Sequence, residues 1–139
     1  MRMNIVLDKG ALEPVRGHAD DAGLDLRCPA RTVIPAGGSA VIDLLVRTEI
    51  PRGYFGKLES KSGLNVKHGV VSLGGIIDSG YTGTIVARLY NFGPEDYVLE
   101  AGDKCVQLII MPCETPELVK AEGLHDTERG NNGFGSTGR

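Results

Sequence analysis

The sequence is poor in aromatic residues: it has no tryptophan, three phenylalanines, and aromatic side chains make up 5% of the chain. An aromatic-rich core is therefore excluded, and the hydrophobic core must be built from aliphatic side chains. Phe134 lies in a glycine-rich tail where no core exists to receive it. This placement predicts that the Phe134 ring stacks on a flat ligand.

The sequence also lacks any basic run, and its 15 Lys and Arg against 18 Asp and Glu give a net charge of −3. Binding to a nucleic-acid polymer needs a broad field of positive charge, so the composition argues against a duplex or long single strand as ligand. No uncharged stretch is long enough to span a bilayer, and the first apolar run is too short for a signal peptide. We therefore expect a soluble protein with no membrane or nucleic-acid partner.

Cysteine is scarce as well: Cys28, Cys105 and Cys113 have neither CxxC spacing nor an even count. Unpaired cysteines in this pattern are typical of reduced thiols. They favour a cytoplasmic location, with the nucleus as the alternative for a eukaryotic or viral protein.

Glycine, in contrast, is abundant, at 20 of 139 residues. Short apolar runs with period two are separated by Gly, Pro and Asp about every ten residues, which predicts an all-β sandwich or barrel. The best helix candidate is "SGLNVKHGV" at 62–70, and "TPELVKAEGL" at 115–124 is compatible with strand or turn. The length predicts one domain, residues 1–128, followed by a flexible arm, residues 129–139.

The arm, "RGNNGFGSTGR", has the glycine spacing of a phosphate-cradling loop. A Walker A loop needs a lysine where Ser136 stands and must continue into a helix. Neither condition is met, so another surface must complete any phosphate site.

"GGIIDSGYTGTI" at 74–85 is predicted to form a β-hairpin with Asp78 at the entrance of its turn. In one interpretation, Asp78 only caps the turn and Tyr81 covers the sheet edge. In the other, Asp78 is a general base and Tyr81 is a flat wall against a sugar ring. The hairpin alone does not decide between them.

Two further segments carry candidate ligand-binding side chains. "HADDAGLDL" at 18–26 clusters Asp20, Asp21 and Asp25, which suits Mg²⁺, although loop solvation explains the first two equally well. Asp25 stands between Leu24 and Leu26 in a strand pattern, so it requires a partner. Ser62 either caps the predicted helix or marks an anion site at its N-terminus, beside Lys61.

Five stretches in this order resemble the five motifs of the trimeric deoxyuridine triphosphatases (dUTPases). They are "AGLDL" at 22–26, "SKSGL" at 60–64, "GGIIDSGYTG" at 74–83, "AGDKCVQLI" at 101–109 and "RGNNGFGSTG" at 129–138. The resemblance implies a β jelly roll with one short helix, a homotrimer, and active sites at subunit interfaces. A C-terminal arm from a neighbouring subunit would cover each site.

The resemblance also implies a role for each matching residue in Mg²⁺-dependent hydrolysis of dUTP to dUMP and pyrophosphate. Asp78 would be the base that orients the attacking water, and Tyr81 would pack against the deoxyribose. Asp25 would hold the hydrated Mg²⁺ through water. The residues that would contact the uracil, the phosphates or both are Gly75 and Ile76, then Lys61, Ser62, Gly63 and Gln107, and in the arm Arg129, Phe134, Gly135, Ser136 and Thr137.

This chain departs from the common family pattern at two positions, where Lys61 and Lys104 replace arginines. Lysine gives up the bidentate guanidinium fork for a point charge. Two alternatives share the fold: dCTP deaminase and a nucleotide-sensing regulatory trimer. The deaminase uses a glutamate three residues before the Asn of its "N-x-G" turn, and Arg88 occupies that position here.

Overall fold

The computed structural model describes residues 1–133, which contain eleven β-strands and one α-helix. The elements are β1 (Asn4–Leu7), β2 (Leu24–Arg27), β3 (Thr32–Ile34), β4 (Ser39–Asp43), β5 (Val46–Glu49), β6 (Tyr54–Ser60), α1 (Ser62–His68), β7 (Val70–Ser72), β8 (Ile76–Ile77), β9 (Val86–Asn91), β10 (Tyr97–Leu99) and β11 (Lys104–Pro112). The all-β fold class with one short helix is therefore confirmed within the described residues, while Phe134 to Arg139 lie outside them.

The strands form two main antiparallel sheets and two smaller pairs. The larger sheet has the order β2-β11-β6-β8 and the smaller sheet β4-β9-β7, while β1 pairs with β5 and β10 with β3. In β9, Ala87 and Leu89 are buried and Val86 and Arg88 are exposed. This alternation follows from the period of two along a strand, which puts every second side chain in the core. The core is aliphatic, as predicted: it joins Leu26, Leu58 and Leu108 of the larger sheet to Ile42, Ala87 and Leu89 of the smaller one.

The predicted helix is present as α1, and Gly69 ends it. Gly69 has a φ of 67° and donates its backbone N–H to Asn65 O, as glycine does at helix C-termini. At the other end, Lys61 is the N-cap residue and Ser62 already belongs to the first turn; no side-chain hydrogen bond caps this end. The N-cap interpretation of Ser62 is therefore wrong, and the anion-site interpretation stays a prediction. No helix in residues 1–133 has the length and apolar character needed to cross a membrane.

The predicted hairpin at 74–85 is also wrong, because β8 and β9 belong to different sheets. Strand β8 pairs with β6, and β9 pairs with β4 and β7. The connection crosses between the sheets because Ile85 is fully buried and exchanges backbone hydrogen bonds with Leu44 and Val46. Only the turn itself is as predicted: Tyr81 N–H donates to Asp78 O across 3.0 Å.

Asn91 is the buried polar residue that fixes one end of the smaller sheet. It is 1% exposed, its Nδ2 donates to Ile34 O (2.9 Å) and Glu95 O (2.8 Å), and its Oδ1 accepts from Gly93 N–H (2.8 Å). Every polar atom of the side chain is therefore paired, as burial requires.

We expect Asn91→Ala to lower the free energy of unfolding by about 2–4 kcal/mol, because it leaves buried backbone groups without partners. Urea denaturation measures the loss. The matched control is Asn4→Ala, which removes one exposed hydrogen bond to Glu49 and should cost less than about 0.5 kcal/mol. Equal losses in the two variants would contradict the role given to Asn91.

Candidate functional site

One group of predicted site residues lies at one end of the larger sheet. Gln107 in β11 is opposite Asp25 in β2 on one side and opposite Glu59 in β6 on the other. Lys61 follows β6 directly, at the start of α1. Antiparallel pairing of three neighbouring strands thus brings together side chains that are far apart in sequence.

Asp25 is the buried charge at the centre of this group, with 4% of its surface exposed. Lys61 Nζ donates to Asp25 Oδ1, and Lys104 Nζ lies 2.8 Å from Oδ2. Burial alone would raise the pKa of the Asp25 carboxyl, but the hydrogen bonds from Lys104 and Lys61 outweigh it and hold the pKa below its usual value. The sequence predicted that Asp25 needs a partner, and the structure shows two, Lys61 and Lys104. Sequence reasoning noted Lys104 only as a replaced arginine and assigned it no contact.

Asp20 and Asp21 do not join Asp25. Both are exposed, and Asp21 Oδ2 accepts from the backbone N–H of His18 at 2.8 Å, which lowers the pKa of Asp21. Within residues 1–133, no three His, Cys, Asp or Glu side chains are grouped in a way that could hold a metal ion. The loop-solvation interpretation therefore fits these two aspartates.

Gln107 is fixed by two neighbours. Its Nε2 donates to Ser60 O at 3.0 Å, and its carboxamide lies against Gly23, where an added Cβ would sit 2.9 Å from the Gln107 Cδ. Gly23 is buried, so any larger residue there would displace Gln107. Sequence reasoning missed this role of Gly23, although the glycine stands in the "AGLDL" motif.

Ser62 and Gly63 are both exposed in the first turn of α1, next to Lys61. A Cβ built on Gly63 would meet no atom within 4 Å, so this side of the turn is open. The two residues therefore lie next to the end of the sheet that holds Asp25 and Gln107, and the Gly63 side of the turn faces open space.

A second group of predicted site residues surrounds the turn that follows β8. The Asp78 side chain is exposed, and Tyr81 Oη donates to Thr84 O at 2.9 Å. The Tyr81 ring covers Gly83, where an added Cβ would sit 2.7 Å from Cζ. The ring is therefore held against the chain while its other side faces outward.

Gly75 and Ile76 form the strand edge beside this turn. Gly75 has a φ of 94°, and its carbonyl accepts from Leu58 N–H at 2.8 Å. An added Cβ would sit 2.7 Å from Leu58 Cβ, so glycine is required here for both conformation and space. Ile76 pairs with Lys57, and its side chain is exposed.

The two groups are far apart within one chain. Asp78 is next to Ile77, which pairs with Gly56, so Asp78 is level with position 55 of β6, whereas Asp25 is level with position 59. Four residues of strand span about 13 Å, and three inter-strand spacings add about 14 Å sideways, which places the two aspartates roughly 19 Å apart. One chain therefore does not bring Asp78 and Asp25 to the same small ligand.

The predicted arm residues are described only at their start. Arg129 is exposed, and its Nε donates to Asn132 O at 2.9 Å, a contact within the segment itself. The predicted roles of Phe134, Gly135, Ser136 and Thr137 fall on residues outside the described part of the chain.

The residues around Asp25 fit one kind of magnesium site. Asp25 offers a single carboxylate, and both of its oxygens accept from lysine ammonium groups. Mg²⁺ dehydrates reluctantly and often takes one or two carboxylates together with substrate phosphates. One carboxylate suits a Mg²⁺ ion that keeps most of its waters and is coordinated by substrate phosphates. It does not suit an ion that is coordinated by protein ligands alone.

We expect the contribution of Asp25 to stability to depend on pH in the acidic range. Because its folded pKa lies below the unfolded value of about 3.9, this contribution is fully present above the unfolded pKa and is lost as pH falls through the folded one. The free energy of unfolding of the wild type should therefore fall relative to Asp25→Asn below about pH 4. Urea unfolding of both proteins from about pH 2 to neutral pH measures this, and a difference that does not vary with pH would contradict it.

Comparison with known sequences agrees with the motif resemblance. The dUTPase family model matches residues 11–138. A deoxyuridine 5'-triphosphate nucleotidohydrolase of Paramecium bursaria Chlorella virus 1 is 39% identical over 132 residues, which are 95% of this chain and 94% of the viral protein. The mitochondrial human enzyme of the same name is 38% identical over 133 residues, and this chain spans 53% of its length.

Comparison with solved structures gives the same family. The dUTPase of Staphylococcus bacteriophage 80alpha, solved as a point mutant with dUpNHpp, has a TM-score of 0.92 and 31% identity, with 99% of each chain covered. A mutant dUTPase from phage phi11 of S. aureus, which coordinates a structural Mg(II) ion, has a TM-score of 0.83 and 30% identity over 88% of this chain and 98% of that one. The five motifs, the family model and these relatives all point to one family. The chain belongs to the dUTPase family.

Proposed function

We propose that this protein hydrolyses dUTP to dUMP and pyrophosphate by attack of water on the α-phosphorus. Such an activity limits uracil incorporation into DNA and supplies dUMP for dTMP synthesis. The observation that carries the proposal is the division of the predicted side chains into two complementary groups. The turn after β8, here called the Asp78 turn, offers an exposed carboxylate and the aromatic ring of Tyr81. The side chains at the end of the larger sheet, here called the Asp25 group, offer the lysines Lys61 and Lys104, the carboxamide of Gln107 and the carboxylate of Asp25.

Asp78 is the general base in this proposal. Its carboxylate is exposed beside a hydrogen-bonded turn, so it can reach a water molecule while its backbone stays fixed. A general base must lie within hydrogen-bond reach of the proton that it accepts. Asp78 would orient the water in line with the bond to the leaving pyrophosphate and take up its proton.

The nucleoside is recognised by the edge of β8 and by Tyr81. Gly75 and Ile76 present backbone groups at this edge, and the uracil ring hydrogen-bonds to them. Tyr81 packs against the deoxyribose and leaves no room for a 2′-hydroxyl group. Because the strand and the ring are fixed by the fold, discrimination costs little reorganisation on binding.

The triphosphate is bound by the other group. Lys61 donates to phosphate oxygens from its flexible stem, and Ser62, Gly63 and Gln107 add neutral donors. Asp25 would hold a hydrated Mg²⁺ through its waters, and the ion, when bound, offsets charge on the phosphates. Lys61 must then move part of its interaction from Asp25 to the substrate.

A complete site needs more than one copy of the chain. Asp78 and Asp25 are roughly 19 Å apart in one chain by strand geometry, further than a base and a metal-holding carboxylate can act on one triphosphate. We infer a homotrimer in which one subunit supplies the Asp78 turn and its neighbour the Asp25 group. The arm closes the site, with Arg129 on phosphate, Phe134 on the uracil, and Gly135, Ser136 and Thr137 over the γ-phosphate.

The dCTP deaminase alternative receives no support from the residue at the diagnostic position. Arg88 is exposed there, and its guanidinium donates to Ser39 Oγ at 3.0 Å on the outer face of β4 and β9. A cation on this face cannot act as the carboxylate of a deaminase. Pyrophosphate release from dUTP, ammonia release from dCTP, and binding with neither product separate the three functions.

We expect Asp78→Asn to bind dUTP with little change but to turn it over at least about 100-fold more slowly, because the positioned base is lost. Pyrophosphate release under saturating dUTP measures kcat. The matched control is Asp20→Asn, which changes an exposed loop aspartate and should keep wild-type turnover. Near-normal kcat in Asp78→Asn would refute the role of Asp78.

We expect subunit complementation between two inactive variants, Asp78→Asn and Asp25→Asn. In randomly mixed trimers about one quarter of the sites receive an intact Asp78 from one subunit and an intact Asp25 from its neighbour. The mixture should therefore regain about one quarter of the wild-type rate after co-refolding. Inactive mixed trimers would show that both aspartates of a working site come from the same chain.

A further inference from the structure

The connection between β4 and β5 contains a strained backbone position, Leu45. Leu45 is the one residue other than glycine with positive φ in residues 1–133, at 59°. Residues other than glycine pay a steric penalty in this region, and such strain persists only where the surrounding structure imposes it. The Leu45 backbone N–H donates to Asp43 Oδ1 at 2.9 Å, so the Asp43 carboxylate stabilises the strained turn between β4 and β5.

The second oxygen of the same carboxylate connects this turn to Tyr81. Thr84 Oγ1 donates to Asp43 Oδ2 at 3.1 Å, and the carbonyl of Thr84 accepts from Tyr81 Oη at 2.9 Å. A continuous series of hydrogen bonds therefore runs from Leu45 through Asp43 and Thr84 to the phenol of Tyr81.

The backbone around this series is fixed as well. Leu44 N–H donates to Ile85 O at 2.9 Å, and Ile85 N–H donates to Val46 O at 2.8 Å. These bonds hold the segment after Tyr81 against the strained turn. Residue Thr84, whose carbonyl accepts from the Tyr81 phenol, is therefore held in two ways. Its side chain donates to Asp43, and the next residue, Ile85, is bonded through its backbone to Leu44 and Val46.

The Tyr81 side chain is open to solvent on one side. It is 45% exposed, and on its inner side the ring lies on Gly83. Exposed side chains change rotamer on a picosecond-to-nanosecond timescale, and the hydrogen bond to Thr84 O opposes such motion of the Tyr81 ring. A ring that moves in this way cannot exclude a group as small as a hydroxyl.

We propose that Asp43 and Thr84 are positioning residues for sugar discrimination: through the Thr84 carbonyl they fix the Tyr81 ring where it excludes the 2′-hydroxyl of a ribonucleotide. This inference rests on the proposed function, in which Tyr81 packs against the deoxyribose. It assigns the selectivity for deoxyribose partly to two side chains that do not touch the substrate. It also gives the positive φ of Leu45 a role, because this turn lets one Asp43 carboxylate accept from both Leu45 N–H and Thr84 Oγ1.

The test measures kcat/KM for dUTP and for UTP and takes their ratio. Asp43→Ala removes both acceptors and should lower the ratio about fivefold, and Thr84→Val removes only the hydroxyl and should lower it about twofold. The fall should come from faster use of UTP, not only slower use of dUTP. Asp43→Asn should restore the wild-type ratio, because its carbonyl oxygen accepts from Leu45 N–H and its amide donates to Thr84 Oγ1.

Two further variants separate positioning from general loosening of the fold. Ser39→Ala removes one hydrogen bond, from Arg88, across the same β4 and β9 pair at its other end, and it should leave the ratio unchanged. Gly83→Ala pushes on the ring directly and should lower the ratio without involving Asp43. The melting temperature of each variant reports its structural cost.

The outcomes separate the inference from the function on which it rests. An unchanged ratio in both Asp43→Ala and Thr84→Val would overturn the inference, and so would an equal fall in Ser39→Ala. In both cases the wild type would still hydrolyse dUTP and reject UTP, so the proposed function would stand. A wild type without dUTP hydrolysis would overturn both.

Discussion

Strand β6 is hydrogen-bonded on both sides, to β11 and to β8, and this pairing fixes the distance between the two halves of the site. The ladder hydrogen bonds on both sides hold β6 in a fixed register with its two neighbours. The Asp78 turn therefore stays at one end of β6 and the Asp25 group at the other. In the proposed mechanism, the two groups that act on one triphosphate therefore come from different subunits.

The Asp25 group shows how neighbouring side chains compensate a buried carboxylate. An unpaired buried charge is strongly unfavourable, and two lysines supply the compensation here. Lys104 is more exposed than Asp25 and remains on Oδ2, while Lys61 stands at the start of α1 beside Ser62. Because lysine is a flexible point charge, Lys61 would in the proposed function turn from Asp25 to a phosphate with less rearrangement than an arginine held by a bidentate pair. In that proposal, the mobility of Lys61 would offset the loss of bidentate geometry at position 61.

The sequence predicted the features that depend on local pattern. A charged residue between Leu24 and Leu26 indicated that Asp25 needed a partner, and the segment "SGLNVKHGV" indicated where α1 lies, although its end at Gly69 was not predicted. The ladder partner of β8 was not predicted, because its two residues pair with β6, about twenty positions earlier, and non-local pairing has no local signal. The contact of Lys104 with Asp25 was missed for a related reason. A register shift between Lys104 and Val106 sets which side chains of β11 face β2, and strand periodicity gives no sign of it.

The glycines of the site explain part of the unusual composition. Gly23, Gly75 and Gly83 are each in contact with a side chain that an added Cβ would displace: Gln107, Leu58 and Tyr81, respectively. In each case the absence of a side chain lets another group approach the backbone closely. A site made this way is held by the main chain of a paired sheet, so its geometry is set when the sheet folds. In the proposed function, the surfaces that would select uracil and deoxyribose are therefore set by the fold before the substrate binds.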